Sequence, residues 1–225
     1  MGVSIGFHRK INDWILSQEQ QAIFLPFVAD GNPYKSRIFV VGLFPQPQLT
    51  INHFEQAQYI DSLVDAELFN ILYGDVPQSR ENKGVATFTQ WLQETCDEVV
   101  VDTNVTTLMA DSAKQLKELK KTAPQNYERG VQVFREVLEE FQPEILILHS
   151  ADALKQFRSQ FEDCLIDYYA HIDKVQELEE VGVFAELHFH EEHKVKILAC
   201  RNLSLYGKSG EKFAKFKKHV LQQLS

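Results

Sequence analysis

The sequence lacks long apolar runs and paired cysteines, and each absence excludes a class of protein. No stretch approaches the ~20 apolar residues of a membrane-spanning helix, and the first residues lack the basic-then-apolar order of a signal peptide. Its three cysteines, Cys96, Cys164 and Cys200, are odd in number and far apart, which argues against a disulfide framework or a paired-cysteine zinc site. We therefore expect a cytoplasmic protein with reduced, buried thiols.

Basic residues are also scarce, since 23 of them face 32 acidic residues and the net charge is −9. This charge opposes broad, non-specific attraction to phosphate backbones. Residues 201–225 are the exception, because this segment contains six basic residues and a single acidic residue, Glu211. The six are Arg201, Lys208, Lys212, Lys215, Lys217 and Lys218. Such a run commonly does no more than solvate a helix; the alternative is a DNA-backbone surface, for which Lys208, Lys212 and Lys215 are the candidates.

Apolar runs that alternate with amphipathic segments predict an α/β protein. Short β-branched runs at 37–43, 98–102 and 144–148 indicate buried strands. Helical periodicity between them, clearest at 127–141, implies crossover connections and parallel pairing. We therefore expect residues 1–225 to form a single domain, a three-layer α/β/α sandwich with a short, mainly parallel central sheet.

The remaining segments extend the same pattern. Apolar residues at helical spacing predict helices at 7–21, 60–72, 85–95, 151–161 and 209–224. Two further strands are predicted at 181–190 and 194–200, joined by a tight turn at Glu191 and Glu192. Because ligands bind outside the carboxyl ends of parallel strands, a polar site is expected where the strands end. The segments at these ends are 42–47, 102–107, 149–152 and 201–204.

Together these strand ends resemble the uracil-DNA glycosylase superfamily, in which a first strand ends in Gly-x-Asp/Asn-Pro. A second strand of that family ends in a base-recognising Asn, and the last ends in a His-Pro-Ser-like loop. The similarity reaches from Arg37 to Lys218, and its order is supported by segments 67–73, 84–92 and 143–154. The resemblance implies a nucleobase pocket and cleavage of the bond between a base and its sugar in DNA.

Four positions match the family pattern: Gly42, Pro45, Asn104 and Ser204. The carboxamide of Asn104 offers one acceptor and two donors, which suits the edge of a flipped base. Two alternatives stay open, because an Asn often caps a loop after a strand and tight-turn geometry alone explains the Gly and the Pro.

Two other positions depart from the pattern. Phe44 stands where the family has the side chain that positions a water, and it can neither accept nor donate a proton. Asn202 stands where the family has histidine, so a departing base would be stabilised by this amide or by Arg201. Phe44 and Phe69 are candidates for stacking on a base, although aromatic residues at such positions commonly belong to the core. His149 is the candidate replacement proton carrier, unless backbone bonds simply hold it at a helix start.

Three hypotheses follow for the function. The first is a divergent glycosylase with weak or altered base excision, and the second is a non-catalytic module that binds a nucleobase, a nucleotide or a protein. The third is a metal-assisted hydrolase at His188, His190 and His193, since side chains two apart on a strand share a face. No cofactor is expected, because an iron–sulfur cluster needs four cysteines and no Gly-rich phosphate loop occurs.

Overall fold

The computed structural model describes residues 5–16, 24–45, 56–73, 79–190 and 193–224. The strands are β1 (Val28–Ala29), β2 (Ile38–Gly42), β3 (Val100–Asn104), β4 (Ile145–His149), β5 (Leu165–Asp167), β6 (Val183–His190) and β7 (His193–Cys200). They form one sheet in the order β1-β3-β2-β4-β7-β6-β5. The four central strands β3, β2, β4 and β7 are parallel, whereas β1, β6 and β5 pair antiparallel. The predicted mainly parallel central sheet is confirmed.

Helices cover both faces of this sheet. They are α1 (Ile5–Ile15), α2 (Gln56–Ser62), α3 (Ala66–Tyr73), α4 (Arg80–Cys96), α5 (Ala113–Thr122), α6 (Pro124–Phe141), α7 (Ala151–Gln160), α8 (Val175–Val181) and α9 (Ala214–Leu224). On one face, Phe88 of α4 and Phe216 of α9 join a buried cluster with the sheet. On the other face, Trp14, Phe134 and Phe157 do so from α1, α6 and α7. The α/β sandwich is therefore confirmed.

The central strands are apolar along their whole length because both of their faces are covered. Every residue of β2 and of β4 is buried, including His149 at the end of β4. Strands that are buried on both faces are enriched in β-branched and leucine side chains, as the runs 38–41 and 145–148 are. Their order places the carboxyl ends of β2, β3 and β4 next to one another at one edge.

Several element boundaries differ from the sequence prediction. The helix expected at 60–72 is two helices, α2 and α3, because the chain turns at 63–65. The last helix begins at Ala214 and follows a 3₁₀ turn at Glu211–Phe213. The predicted helix over 7–21 ends at Ile15, and residues 17–21 lie outside the described residues, as does the turn at Glu191 and Glu192. No helix in the described part of the chain is long and apolar enough to cross a membrane.

Candidate functional site

A cavity of about 440 Å³ lies where the carboxyl ends of the central strands meet α4. This strand-end cavity falls within the size range of small-molecule binding sites. The polar side chains on its walls that matter most come from four different parts of the chain. The polar side chains that argue for a site are Glu81 of α4, Asp102 and Asn104 of β3, His149 of β4 and Asn202 after β7. Polar groups that converge on a cavity at this edge of a parallel sheet are typical of a ligand site.

Gly42 makes room for two side chains that line the cavity, Asn104 and His149. A Cβ atom at this glycine would lie 2.5 Å from Asn104 Oδ1 and 2.9 Å from His149 Nε2. Asn104 is opposite Gly42 in the parallel register of β2 and β3, and His149 ends the strand on the other side of β2. The missing side chain therefore lets an amide oxygen and an imidazole nitrogen approach the same point.

One carboxylate connects His149 with Asn202. Glu81 Oε1 accepts a hydrogen bond from Asn202 Nδ2 at 2.9 Å and lies 3.4 Å from His149 Nδ1. The contact with His149 is electrostatic, because its geometry does not align as a hydrogen bond. The His149 side chain is only 3% exposed, whereas Glu81 is 36% exposed. Desolvation raises the pKa of Glu81, but the contacts with His149 and Asn202 outweigh it and hold the pKa below its ordinary value.

Asp102 brings a second carboxyl group to the cavity. It lies two residues before Asn104 on β3, so both side chains are on the same face of the strand. Desolvation by burial raises the pKa of Asp102 to about 7; His149 opposes this increase and the negative charge of Glu81 adds to it. A carboxyl group with such a pKa can both accept and release a proton near neutral pH.

Ser150 holds a strained backbone conformation directly after His149. Its φ of 91° and ψ of 151° lie in a region that is almost restricted to glycine and costs ~1–3 kcal/mol. Two bonds compensate: Ser150 N donates to Cys200 O at 3.0 Å, and Ser150 Oγ accepts from Ala153 N at 3.2 Å. These two hydrogen bonds fix the point at which β4 leaves the sheet, and hence the place of His149.

The start of the loop after β2 and helix α3 supply aromatic and apolar side chains to the cavity wall. Phe44, Pro45 and Phe69 line the cavity, and Phe44 is half-buried. The carbonyls of Gly42, Leu43 and Pro45 accept hydrogen bonds from the backbone N–H groups of Val105, Thr106 and Ala110. Residues 42–45 are therefore bound to the segment after β3, which keeps Phe44 against the cavity.

Two of the predicted site residues lie apart from the cavity. Arg201 donates from Nη2 to Glu179 Oε1 at 2.7 Å and from Nε to Glu179 Oε2 at 3.0 Å. Its guanidinium is therefore committed to a buried carboxylate. Ser204 is outside the cavity lining, where its backbone N–H donates to Asn202 Oδ1 at 2.8 Å. Both ends of the Asn202 amide are consequently engaged within the protein.

The three candidate backbone lysines, together with His188 and His193, are also not among the residues that line the cavity. Lys208, Lys212 and Lys215 are exposed, and Lys215 pairs with Glu180. The His188 ring lies 3.2 Å from Glu186 Oε2, and His193 Nε2 lies 3.1 Å from Pro143 O. The His190 side chain lies outside the described residues. Within those residues no three His, Cys, Asp or Glu side chains are grouped so that they could hold a metal ion.

Glu81 and Asp102 were missed by the sequence analysis. Asp102 did carry a signal, because it is the first polar residue after the apolar run 99–101. Glu81 carried none, since it lies in the first turn of a helix whose contact with His149 depends on tertiary packing.

No protein-family model matches the chain, and no curated protein matches it in sequence.

Proposed function

We propose that this chain is a divergent member of the uracil-DNA glycosylase superfamily that binds a nucleobase in the strand-end cavity and excises it from DNA. The observation that carries the proposal is the convergence of Asn104 Oδ1 and His149 Nε2 above Gly42. An amide and an imidazole at one point offer donors and acceptors to the edge of a planar heterocycle. Phe44 and Phe69 on the walls add apolar surface against which a base can stack.

Asn104 is the residue that reads the base in this proposal. Its carboxamide lines the cavity and lies against the position where Gly42 lacks a side chain. Because an amide both donates and accepts, it can pair with a base that has neighbouring carbonyl and N–H groups. A base extruded from a duplex or a single strand exposes this edge.

Asp102 and His149 take the place of the proton-handling side chain that is absent at position 44. Ionised Asp102 accepts a proton from a water, and the oxygen of that water forms a bond to the sugar carbon as the bond from this carbon to the base nitrogen breaks. The electron pair of the broken bond leaves with the base, and His149 donates the proton that neutralises it. Glu81 is a positioning residue in this scheme, because it contacts the other nitrogen of the His149 ring.

The test is base release from defined oligonucleotides. Purified protein is incubated with single- and double-stranded oligonucleotides that contain uracil, hypoxanthine or a mismatch, and alkali then cleaves any abasic site. We expect cleavage by the wild type and at least a 100-fold slower reaction for Asp102→Asn and for Asn104→Ala. Asp163→Asn is the matched control, because Asp163 is an exposed carboxylate that does not line the cavity. Equal rates for Asp102→Asn and the wild type would contradict the assigned chemistry.

Binding without chemistry is the second candidate, and two observations favour it. Phe44 cannot activate a water, and the Asn202 amide is engaged by Glu81 and by the Ser204 backbone. In this case free uracil or hypoxanthine titrated into the protein binds, Asn104→Ala abolishes the binding, and no oligonucleotide loses a base. A protein that binds no base and releases none would contradict both candidates.

A further inference from the structure

A second basic segment of the chain lies beside the strand-end cavity. Helix α5 carries four lysines and one glutamate in ten residues, against the trend of a chain with a net charge of −9. Its first residue, Ala113, lines the cavity. The lysines that follow therefore extend away from the cavity along one helix, over about 12 Å as far as Lys121.

Three of these lysines share one side of α5. At 100° per residue, Lys114, Lys117 and Lys121 fall within about 60° of the helix circumference. The opposite side is apolar, where Leu116 is buried and Leu119 is half-buried in the cluster with Phe24 and Tyr127. We call Lys114, Lys117 and Lys121 the α5 lysine stripe; all three are exposed.

None of the three lysines of the stripe forms an ion pair among the described residues, and the one acidic residue of the helix, Glu118, lies one turn from Lys114 on the same side. The lysines that form ion pairs among those residues are Lys10, Lys174 and Lys215. The fourth lysine of the helix, Lys120, is used differently, because its Nζ lies 4.7 Å from the centre of the Tyr127 ring. Three charges on one side of a helix, next to a cavity, are available to an external anion.

The basic residues near the end of the chain contrast with this stripe. Arg201 is bound to Glu179, Lys215 is paired with Glu180, and the Lys217 Nζ lies 4.5 Å from the centre of the Trp91 ring. Three of the six basic residues of that segment are therefore balanced or packed within the protein, whereas Lys208, Lys212 and Lys218 are exposed but do not line the cavity.

We propose that the α5 lysine stripe binds the sugar–phosphate backbone of the nucleic acid strand whose base enters the strand-end cavity. This inference rests on the proposed function. Phosphates repeat along a strand, and lysines that recur along a helix give a row of point charges to match them. An anionic membrane surface fits less well, because the apolar residues of α5 are packed inside and none accompanies the lysines outward.

The test is the salt dependence of oligonucleotide binding. Binding of a fluorescent oligothymidylate is measured over a series of KCl concentrations for three proteins. They are the wild type, the triple variant Lys114→Gln/Lys117→Gln/Lys121→Gln, and the charge-matched control Lys212→Gln/Lys215→Gln/Lys218→Gln. We expect the slope of log K against log salt to decrease in magnitude by about 2 for the α5 variant, at ~0.7 per phosphate contact. The control is expected to keep a slope close to that of the wild type.

Equal loss of slope in both variants would overturn the inference, since it would indicate a general effect of net charge. An unchanged slope in the α5 variant, or no oligonucleotide binding by the wild type at low salt, would overturn it as well. Free-base titration distinguishes these failures from failure of the proposed function, because it needs no phosphate contact. Circular dichroism of each variant confirms that the protein keeps its overall secondary structure.

Discussion

Glu81 of α4 lies between two strand ends, 3.4 Å from His149 Nδ1 and 2.9 Å from Asn202 Nδ2, and both contacts are made by its Oε1 atom. One carboxylate on the helix layer thus holds the ends of β4 and β7 in a fixed relation. Because the contacts of Glu81 join α4 to the ends of these two strands, they hold Glu81, His149 and Asn202 together on the wall of the strand-end cavity.

Replacement of Glu81 by Gln tests this contact. The amide oxygen of Gln can still accept from Asn202, but the charge opposite His149 is lost. Because the pKa of Glu81 is depressed in the folded state, its ionised form stabilises the fold above the unfolded pKa of ~4.3, and this contribution disappears as the pH falls through the folded pKa. We expect a loss of about 1 kcal/mol at pH 7, limited by solvent screening, and a smaller loss in acid.

Urea denaturation at neutral and acid pH measures the effect of Glu81→Gln. The control is Glu128→Gln, which removes an exposed carboxylate on α6 and should change stability by less than ~0.5 kcal/mol. A loss for Glu81→Gln that is the same in acid would show that its charge does not stabilise the fold.

Substitution of Gly42 by Ala tests ligand binding at the site with little expected effect on the stability of the fold. The new Cβ atom would meet Asn104 Oδ1 and His149 Nε2, which are the far ends of side chains and can move. We expect stability within about 2 kcal/mol of the wild type and at least a 10-fold weaker affinity for a free base, measured by calorimetry. Gly6→Ala is the control, because a Cβ there meets nothing within 4 Å. Unchanged affinity in Gly42→Ala would argue that Asn104 does not contact the ligand.

The sheet was predictable because its strands carry their own signal. The runs at 38–41 and 145–148 are apolar and β-branched or leucine-rich, as buried parallel strands are, and the helices between them have a clear period. Strands β1 and β5 and helices α5 and α8 were not predicted. The first two are only two and three residues long, and the apolar side of α5 consists of Leu116 and Leu119 alone.

The site was predictable only where strand order decides it. Asn104 and His149 follow predicted strands, so their meeting above Gly42 follows from parallel pairing. Glu81 depends on how α4 packs over the sheet, and no local pattern determines that. The commitment of Arg201 to Glu179 depends likewise on the position of α8 beside β7.

Gly84→Ala tests how α4 is seated. A Cβ at Gly84 would lie 1.9 Å from the backbone oxygen of Leu203, so α4 or the turn at 203–205 would have to move. Alanine is the better helix former by ~1 kcal/mol, but the backbone clash opposes this gain. We expect a net loss of about 2–3 kcal/mol by urea denaturation, while Gly6→Ala should not be destabilised. A Gly84→Ala protein more stable than the wild type would show that α4 does not pack tightly against the backbone of Leu203.

Asp102→Asn tests the second carboxyl group through the pH dependence of stability. The folded pKa of Asp102 is about 7 and the ordinary value is 3.8, so between these values the folded state keeps a proton that the unfolded state has released. Stability from this group is therefore complete below the unfolded pKa, decreases as the pH rises and is fully lost above the folded pKa. Asparagine does not ionise. We expect the variant to gain roughly 2–4 kcal/mol on the wild type between pH 4 and pH 8.

Urea denaturation across this pH range measures the difference in the free energy of unfolding between Asp102→Asn and the wild type. The contributions of the other titrating groups cancel in this difference. Asp152→Asn is the control, because Asp152 also lines the cavity but is exposed, and its substitution should change stability by less than ~0.5 kcal/mol. The same carboxyl group links stability to the proposed chemistry. If ionised Asp102 accepts the proton of the attacking water, base release by the wild type rises with pH through about 7. We therefore expect the stability of the wild type to fall over the pH range in which its base release rises. A free energy of unfolding that changes with pH in the same way for Asp102→Asn and the wild type would contradict the role of this carboxyl group.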